Sequence, residues 1–254
     1  LCIQHGTFGN IVRKPSISDK IAVFGKYDRD SLIKRGIEKE KIIITGQPRY
    51  DLPYRKKFDK NKTCKKLGID PNKRIVVFTT QLEYPTQEPA IKETLEAVKD
   101  TPDVQMVFKL HPFHDRPLLP KLNNIIEKYR KYGIRTIIVE EINIYELLNI
   151  CDVMITEDST AWLDAFVLGK PVISMNLGSH RNPIPSCQKP YKKKKIVSCI
   201  NREGELKGEI KKILKGNKFR KRLEEKINKN VNDFMMYDGK ATERIKKLIL
   251  KMAS

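Results

Sequence analysis

The amino-acid sequence predicts an α/β protein in which helices cover both faces of a largely parallel sheet. Short runs of β-branched residues, among them Ile42–Ile44 and Ile75–Val77, alternate with longer stretches of helical periodicity. This alternation is typical of parallel sheets, because parallel neighbours are joined by crossover connections that are usually helical. The composition agrees, since 39% of the residues are apolar and 32% are charged, as in globular domains. No apolar run approaches the roughly 20 residues that cross a bilayer.

The first part of the chain contains three predicted strands and one predicted helix. In chain order these are strand 1–4, strand 21–24, helix 28–35 and strand 41–45. The helix is predicted to end at Gly36, because a glycine just after a helix readily takes the left-handed conformation of a C-terminal cap. The stretch 55–66 is basic and broken, and we interpret it as the boundary with the next domain.

The second part repeats a strand–helix unit four times and ends on a fifth strand. The predicted order is strand 74–79, helix 88–99, strand 104–110, helix 118–132, strand 136–139, helix 144–149, strand 153–156, helix 160–168 and strand 172–175. This order predicts a doubly wound, Rossmann-like domain, and such domains bind ligands at the carboxyl ends of their strands.

The last quarter of the chain is predicted to be helical, with two apolar stripes at helical spacing. The first stripe consists of Leu206, Ile210, Ile213 and Leu214, and the second of Ile245, Leu248, Ile249 and Met252. We predict that both stripes pack against the core. The alternative is a basic helix that lies on a membrane surface.

The charge is strongly basic, with 51 Lys and Arg against 31 Asp and Glu, which gives a formal net charge of +20. One interpretation is a solvated basic surface, and the other is attraction to nucleotide phosphates or acidic lipid headgroups. Nucleic acid is not expected as a partner, because no zinc-finger, RNA-binding or basic-zipper pattern occurs. The five cysteines form no CxxC pair, which favours reduced thiols, a cytoplasmic location and no metal site.

The strongest candidate site is the predicted helix start at Asp158, Ser159 and Thr160, which follows a predicted strand. Unpaired backbone N–H groups, the helix dipole and two hydroxyls make such a start favourable for a diphosphate. Asp164 lies about one helical turn beyond Thr160, and we predict that its carboxylate binds a ribose. The alternative is that Asp158 or Ser159 only caps the helix.

A second candidate, His111, lies at the predicted end of a strand that Pro112 stops. An imidazole in that place can donate to a phosphate or protonate a leaving group. Thr80 and Gln81 end another predicted strand, and we predict that they contact phosphates too.

The third candidate is His5, which follows the first predicted strand and precedes Gly6. Its position is that of a general base able to deprotonate an acceptor hydroxyl. Arg49 lies in a segment that we interpret as a structural turn. Arg181 follows the last predicted strand, and an approach to the nucleotide base or to the acceptor is one hypothesis for it. Both arginines are kept as further candidates.

Taken in order, these motifs resemble those of the CDP-glycerol glycerophosphotransferases and of related capsule-polysaccharide glycosyltransferases of the GT-B superfamily. The motifs are His-Gly-Thr, Gly-x-Pro-Arg-x-Asp, His-Pro, Asp-Ser-Thr followed by Gly-Lys-Pro-Val-Ile, and Asp-Gly-Lys-Ala-x-x-Arg-Ile. The resemblance runs from His5 to Arg244 and extends, more distantly, to UDP-N-acetylglucosamine 2-epimerase. It implies two Rossmann-like domains with the active site between them.

The resemblance also implies a domain order. Residues 1–54 correspond to the end of the N-terminal Rossmann-like domain, which is only partly present. Residues 55–235 correspond to a complete donor-binding domain, and residues 236–254 to a helix that returns toward the N-terminal domain.

Roles for single residues follow from the same resemblance. His5 corresponds to the proposed base, and His111, Ser159 and Thr160 correspond to contacts of the donor pyrophosphate. The chain departs from the glycerophosphotransferases at Gln4, where Trp is usual, and at Lys109, where the approach to His-Pro usually contains an arginine. These departures leave the donor open between CDP-glycerol and a nucleotide sugar.

The leading hypothesis is a transferase that moves a glycosyl or polyol-phosphate group from a nucleotide-diphosphate donor to a polysaccharide or teichoic-acid-like acceptor. No cofactor or metal is required, because the helix dipole and basic residues supply the counter-charge. A lipid-linked acceptor and an acidic membrane surface are further expected partners, with the inner face of the plasma membrane as a location. The alternatives are a UDP-N-acetylglucosamine 2-epimerase, for which no His-x-Glu-Ala-Gly-like segment is found, and a non-catalytic polyanion-binding module.

Overall fold

The computed structural model describes residues 1–6, 18–81, 84–112, 118–157, 159–177 and 189–254, with the side chains of 84–86, 118 and 189 left aside. The chain divides into two compact units. The first consists of Leu1–Lys57 together with Asn228–Ser254, and the second of Phe58–Ile227.

All strand pairs in the described residues are parallel. The strands are β1 (Cys2–Ile3), β2 (Ile21–Val23), β3 (Ile42–Ile44), β4 (Arg74–Thr79), β5 (Val104–Lys109), β6 (Arg135–Val139), β7 (Val153–Glu157), β8 (Val172–Met175) and β9 (Ser198–Ile200). The predicted strands are therefore confirmed in type and order. β9 was not predicted, because three residues carry too little periodicity to stand out in a sequence.

The predicted helices occur in the predicted order, together with three further helices that were not predicted. In chain order, the helices are α1 (Lys26–Lys34), α2 (Asp51–Arg55), α3 (Lys60–Leu67), α4 (Tyr84–Lys99), α5 (Leu118–Arg130), α6 (Ile144–Ile150), α7 (Ala161–Val167), α8 (Lys189–Lys193), α9 (Glu205–Lys215), α10 (Asn217–Phe234) and α11 (Ala241–Ala253). The three that were not predicted are α2, α3 and α8. Short 3₁₀ turns occupy Lys39–Lys41 and Pro48–Tyr50. No helix of the described residues is long and apolar enough to cross a membrane.

The stretch 55–66 is more ordered than the sequence predicted, because α3 begins inside it. Asp59 is the N-cap of this helix, and its carboxylate accepts a hydrogen bond from the Lys62 backbone N–H at 3.1 Å. Gly68 ends the helix with a φ of 63°, the left-handed conformation that glycine adopts without strain. Both caps are present in the sequence, but the lysine-rich composition obscured them.

The six strands of the second unit form one sheet in the order β6-β5-β4-β7-β8-β9. Counted within the unit, the order is 3-2-1-4-5-6, which is the order of dinucleotide-binding Rossmann domains. The doubly wound parallel sheet is therefore confirmed. The direction of strand addition reverses between β4 and β7, which lie side by side.

Helices cover both faces of this sheet. One face packs on α4, α5 and α9 through a core that includes Phe78, Phe108 and Ile155. Because strand residues alternate between the two faces, Thr79, Lys109 and Thr156 point to the opposite face. The helices α6 and α7 pack on that opposite face, where they contact β4, β7 and β8.

The first unit has a three-stranded sheet in the order β1-β2-β3. Its small core is formed by Ile21, Val23, Leu32 and Ile42. The loops after these strands are positioned by backbone hydrogen bonds that continue the ladder, such as Gln4 N–H to Ala22 O and Thr45 N–H to Val23 O. The carboxyl ends of all three strands therefore lie at one edge.

The first unit also contains a polar latch, formed by Asp51, Asp238, Ala241 and Arg244. The Asp51 carboxylate accepts hydrogen bonds from the backbone N–H groups of Ala241 at 3.0 Å and Thr242 at 2.8 Å. Arg244 donates to the Asp238 carboxylate and to Thr45 O. Two motifs that lie about 190 residues apart thus hold the start of α11 in place.

The two apolar stripes of the tail behave differently. Leu206, Ile210, Ile213 and Leu214 on α9 are all buried, as predicted. On α11 the prediction is wrong beyond the first two turns: Ile245 is buried, whereas Ile249 is 49% exposed and Met252 is 38% exposed. Leu248, between them, is half-buried, so the described residues cover only part of this stripe.

Candidate functional site

The candidate site lies at the carboxyl edge of the six-stranded sheet, around the switch point between β4 and β7. Helices leave neighbouring strands in opposite directions at such a point, so a crevice opens outside the strand ends. The predicted site segments come after the ends of these strands: Thr80 and Gln81 after β4, His111 after β5, and Ser159 after β7. The topology therefore brings together the ends of three strands that the sequence separates.

Buried hydroxyls join β4 to its neighbours at this edge. Thr79 is the register partner of both Lys109 and Thr156, and the hydroxyls of Thr79 and Thr156 lie 2.9 Å apart. The Thr80 hydroxyl oxygen accepts a hydrogen bond from the His111 backbone N–H at 2.9 Å. Thr80 is only 2% exposed, so the described role of its oxygen is to fix where the His111 loop leaves β5.

The helix start after β7 presents two hydroxyls with different roles. The Ser159 hydroxyl oxygen accepts a hydrogen bond from the Ala161 backbone N–H at 3.3 Å, so Ser159 contributes a cap. Thr160 is the N-cap residue by position, but its side chain makes no capping hydrogen bond and it is exposed. Capping therefore explains Ser159 and leaves the Thr160 hydroxyl open to solvent.

Asp164 is placed on the buried side of α7. It is 1% exposed, and its Oδ1 accepts a hydrogen bond from the Tyr145 hydroxyl at 3.2 Å. The Tyr145 hydroxyl supplies the kind of donor that a ribose would offer. Ribose binding by Asp164 stays a prediction, and Tyr145 defines a structural alternative.

Lys109 is a buried cation for which the sequence predicted no role beyond its place before His111. The residue is 8% exposed, and its Nζ donates to Leu110 O at 2.6 Å and to Glu140 O at 2.9 Å. Burial lowers the pKa of the ammonium, and the charge of Glu140 acts in the opposite direction. Its signal in the sequence was a lysine at the end of a strand whose other residues, apart from Gln105, are apolar.

In the first unit, His5 is exposed just after β1, and Gln4 beside it is 3% exposed. Gln4 Nε2 donates to Gly6 O at 2.9 Å, and Gln4 Oε1 accepts from the Phe24 N–H at 2.8 Å. The Gln4 side chain also hydrogen-bonds with Asp28, a carboxyl whose pKa burial raises to about 7. Gln4 thus fixes the backbone on both sides of His5, and neither it nor Asp28 was predicted to do so.

The remaining candidates add little to the site. Arg49 belongs to the first unit, where its guanidinium lies 5.4 Å from the centre of the Tyr50 ring. Asp158 and Arg181 lie outside the described residues. Within the described part of the chain, no group of three His, Cys, Asp or Glu side chains is arranged to hold a metal ion.

Together, the parallel sheets and the strand order show a fold of the GT-B class, which solved structures share. The chain belongs to the CDP-Glycerol:Poly(glycerophosphate) glycerophosphotransferase family, whose model matches residues 26–251. This confirms the resemblance that the motifs predicted. No curated protein sequence matches the chain significantly.

Three solved structures illustrate the fold. The wall teichoic acid polymerase TagF is 19% identical, with a TM-score of 0.66 over 97% of this chain and 66% of that one. UDP-GlcNAc 2-epimerase from Neisseria meningitidis, bound to UDP-GlcNAc, is 16% identical, with a TM-score of 0.68 over 93% and 62%. A glycosyltransferase from Rickettsia africae is 16% identical, with a TM-score of 0.65 over 98% and 70%.

The chain is shorter than these relatives. It spans 57% and 58% of the length of two further structures, a Listeria monocytogenes protein and a UDP-N-acetylglucosamine 2-epimerase. At these identities the structural similarity concerns the fold, and the chemistry has to be argued from the residues of this chain.

Proposed function

We propose that this chain binds the donor in a transferase that moves a glycosyl or polyol-phosphate group from a nucleotide-diphosphate donor to a polysaccharide or teichoic-acid-like acceptor. The observation that carries the proposal is the switch point between β4 and β7, flanked by Thr80 on one side and by Ser159 and Thr160 on the other. Doubly wound sheets bind nucleotides in such crevices. The family match supports the transferase class, and the UDP-GlcNAc named with one structural neighbour supports a nucleotide donor.

The proposed chemistry assigns one task to each candidate. The acceptor oxygen forms the new bond to the transferred group, the bond from that group to the leaving phosphate breaks, and the acceptor proton passes to His5. His111, Ser159 and Thr160 stabilise the negative charge on the leaving phosphate. Asp164 accepts from the ribose, for which it shares or exchanges its bond to the Tyr145 hydroxyl. The proposal includes no cofactor and needs no metal for this charge.

Donor binding is tested directly by calorimetry and thermal shift on the chain with UDP, CDP and GDP, each beside its nucleoside. We expect one diphosphate to raise Tm, with an affinity at least about tenfold above that of its nucleoside, because the phosphates carry most of the binding. Equal responses to diphosphate and nucleoside, or no response to any of them, would contradict the proposal.

The role of His5 is tested by transfer assays with CDP-glycerol and UDP-sugars in an enzyme that contains this chain. Substitution His5→Gln is expected to lower turnover by about 10²- to 10⁴-fold, the usual contribution of a general base, and to leave donor affinity unchanged. The control is Gln47→Leu, which removes the Gln47 Nε2 bond to Gln4 O without touching the imidazole. If His5→Gln retained normal turnover, another residue would be the base.

The alternatives are separated by two measurements. An epimerase would exchange hydrogen at C2 of a UDP-sugar in the absence of an acceptor. A polyanion-binding module would bind nucleic acid or acidic lipid in a salt-dependent manner and would not respond to nucleotides.

Association with an acidic membrane is part of the proposal, supported by exposed Ile249, Leu250 and Met252 beside the lysines of α11. Cosedimentation with vesicles containing anionic lipid tests it.

A further inference from the structure

Hydrogen-bond donors at the carboxyl edge of the second unit are not bonded to any carboxylate among the described residues. The Lys109 ammonium is buried, yet its partners in the described residues are the neutral carbonyls of Leu110 and Glu140. It forms no ion pair among the described side chains, and the exposed Glu140 carboxylate offsets its charge only without direct contact. Burying a cation without an opposite charge is unfavourable, so such groups are retained mainly where a function uses them.

A second donor near this place is also unused. The Nε2 of Gln81, two residues after the register partner of Lys109, is buried and has no hydrogen-bond partner among the described residues. Its backbone N–H is satisfied by Gln87 Oε1 at 2.8 Å, so the loop itself is held in place. An amide nitrogen carries two donors, and leaving both buried without acceptors costs stability.

The buried carboxylates of the edge do not neutralise Lys109. Glu157 is the register partner of Met175, whose side chain lies in the core against α4, so Glu157 points to the face opposite Lys109. Asp164 is on the same side as Lys109, but its described hydrogen bond comes from Tyr145. The side chains of Lys109, Thr79 and Thr156 lie next to one another on the face that α6 and α7 cover, and Lys109 is the charged one among them.

We propose that Lys109 is a donor-binding residue whose ammonium contacts the diphosphate of the nucleotide, with the Gln81 amide as a second contact. This rests on the proposed function, because it takes a nucleoside diphosphate as the ligand. The phosphate would supply a negative charge in direct contact with Lys109, which no described carboxylate does, and it would accept hydrogen bonds from Lys109 and from the Gln81 amide nitrogen. Lys109 lies one strand away from Thr79, about 5 Å in a parallel sheet, and thus borders the switch point.

Lys170 is a matched control, because its contacts are of the same kind. Its Nζ donates to Asn149 O at 2.7 Å and Cys151 O at 3.2 Å. These are carbonyls at the C-terminus of α6, where a cation is favourable for structural reasons alone. The acceptors of Lys109 follow strands, so no helix terminus explains its burial.

The test compares Lys109→Met, Lys109→Gln, Gln81→Leu and Lys170→Met by thermal shift and calorimetry with UDP, CDP, GDP and their nucleosides. For the diphosphate that binds wild type, we expect both Lys109 variants to raise Kd by about 10- to 100-fold, the range for a charge-assisted hydrogen bond. Gln81→Leu is expected to raise it by about 3- to 10-fold. Nucleoside affinity should stay within about twofold in all of them.

The ligand-free proteins provide the second readout. Lys109→Met removes a buried charge that no carboxylate contacts and is expected to keep or raise Tm. Lys170→Met loses a helix-terminal contact and is expected to lower Tm without changing Kd. If Lys109→Met folds poorly, Lys109→Gln retains a donor for the carbonyls and still lacks the charge.

A lower Tm with unchanged diphosphate affinity in the Lys109 variants would overturn the assignment and make the residue structural. A wild-type chain that binds no diphosphate would instead overturn the proposed function, and this assignment with it.

Discussion

The two edges of the six-stranded sheet handle buried polar groups in opposite ways. At the amino edge, the Asp152 carboxylate is bonded to Arg74 at 3.0 Å, to Arg220 and to the Ile75 backbone N–H at 2.9 Å. At the carboxyl edge, Lys109 donates only to carbonyls and the Gln81 amide nitrogen has no described acceptor, so neither is bonded to a carboxylate. A closed network needs no ligand, whereas an edge with surplus donors is suited to an anion. The difference shows that the balance of partners, and not burial or charge alone, distinguishes a site from a structural network.

The largest expected effect is a loss of stability when the hydrogen-bonded network at the amino edge loses its central carboxylate. Asp152→Ala leaves Arg74 and Arg220 without their shared carboxylate, and we expect the free energy of unfolding to fall by about 3 kcal/mol. Urea unfolding measures the loss, and diphosphate affinity should stay within about twofold.

The control for this prediction is Asp100→Ala, which removes an exposed ion pair with Lys207 and should destabilise the chain far less than Asp152→Ala, because solvent screens exposed charges. Equal costs for the two variants would mean that the amino-edge network contributes no more than a surface ion pair does.

A second prediction concerns Asp28, a buried carboxyl that hydrogen-bonds with Gln4. Burial raises the pKa of Asp28 to about 7, from an ordinary value of 3.8. The folded state then binds the proton more tightly than the unfolded state. The stability from this group is complete below about pH 4 and is lost as the pH rises through 7.

Asp28→Asn cannot ionise, so it should match wild type near pH 4 and exceed it at pH 8, by up to about 4 kcal/mol. Urea unfolding at pH 4, 6 and 8 checks this. Stability curves that run parallel for the two proteins would show that Asp28 titrates normally.

The third prediction concerns the carboxyl edge of the sheet, at the start of the helix that follows β7. Thr160→Val removes an exposed hydroxyl that caps nothing, so we expect about a tenfold rise in Kd for the diphosphate and a stability change below about 0.5 kcal/mol. Ser159→Ala also removes the cap on Ala161 and should lower stability by about 0.5–1 kcal/mol. Unchanged affinity in both variants would exclude this helix start from the donor site.

The smallest expected effect concerns Asp164. Tyr145→Phe removes the hydroxyl that bonds Asp164 and is expected to cost about 1 kcal/mol of stability. If Asp164 binds the ribose, the diphosphate affinity should hold or rise, because a competing donor has gone. A fall in affinity that matches the fall in stability would instead identify the pair as structural support for α7.

Much of the fold could be predicted from the sequence, because strand–helix alternation is written in the spacing of apolar residues. The switch-point segments after β4, β5 and β7 were found for the same reason: each comes directly after an apolar strand. The exposed end of α11 was not predicted. The spacing of Ile249 and Met252 shows which face of the helix is apolar, but it does not show whether another element packs on that face.

The motif residues illustrate the limit more sharply. Asp51 and Arg244 belong to motifs that pointed to the same family as Ser159 and His111, yet they form the latch that holds α11. Lys109 stands next to a named motif and was read only as a departure from the family pattern. Spacing along the chain does not reveal whether a polar group has a partner, because the partner can be distant in sequence: Glu140 lies 31 residues from Lys109, and Ala241 lies 190 residues from Asp51.

The sequence by itself determined the α/β class, the parallel strand–helix order and the family, all of which depend on local periodicity and on short motifs in a fixed order. Only the tertiary structure decided which polar residues are satisfied by the protein and which remain for a ligand. The physical reason is that the cost of burying a charge or a donor depends on every neighbour in space. At Lys109 those neighbours come from β5 and from the segment after β6, and they are carbonyls rather than carboxylates.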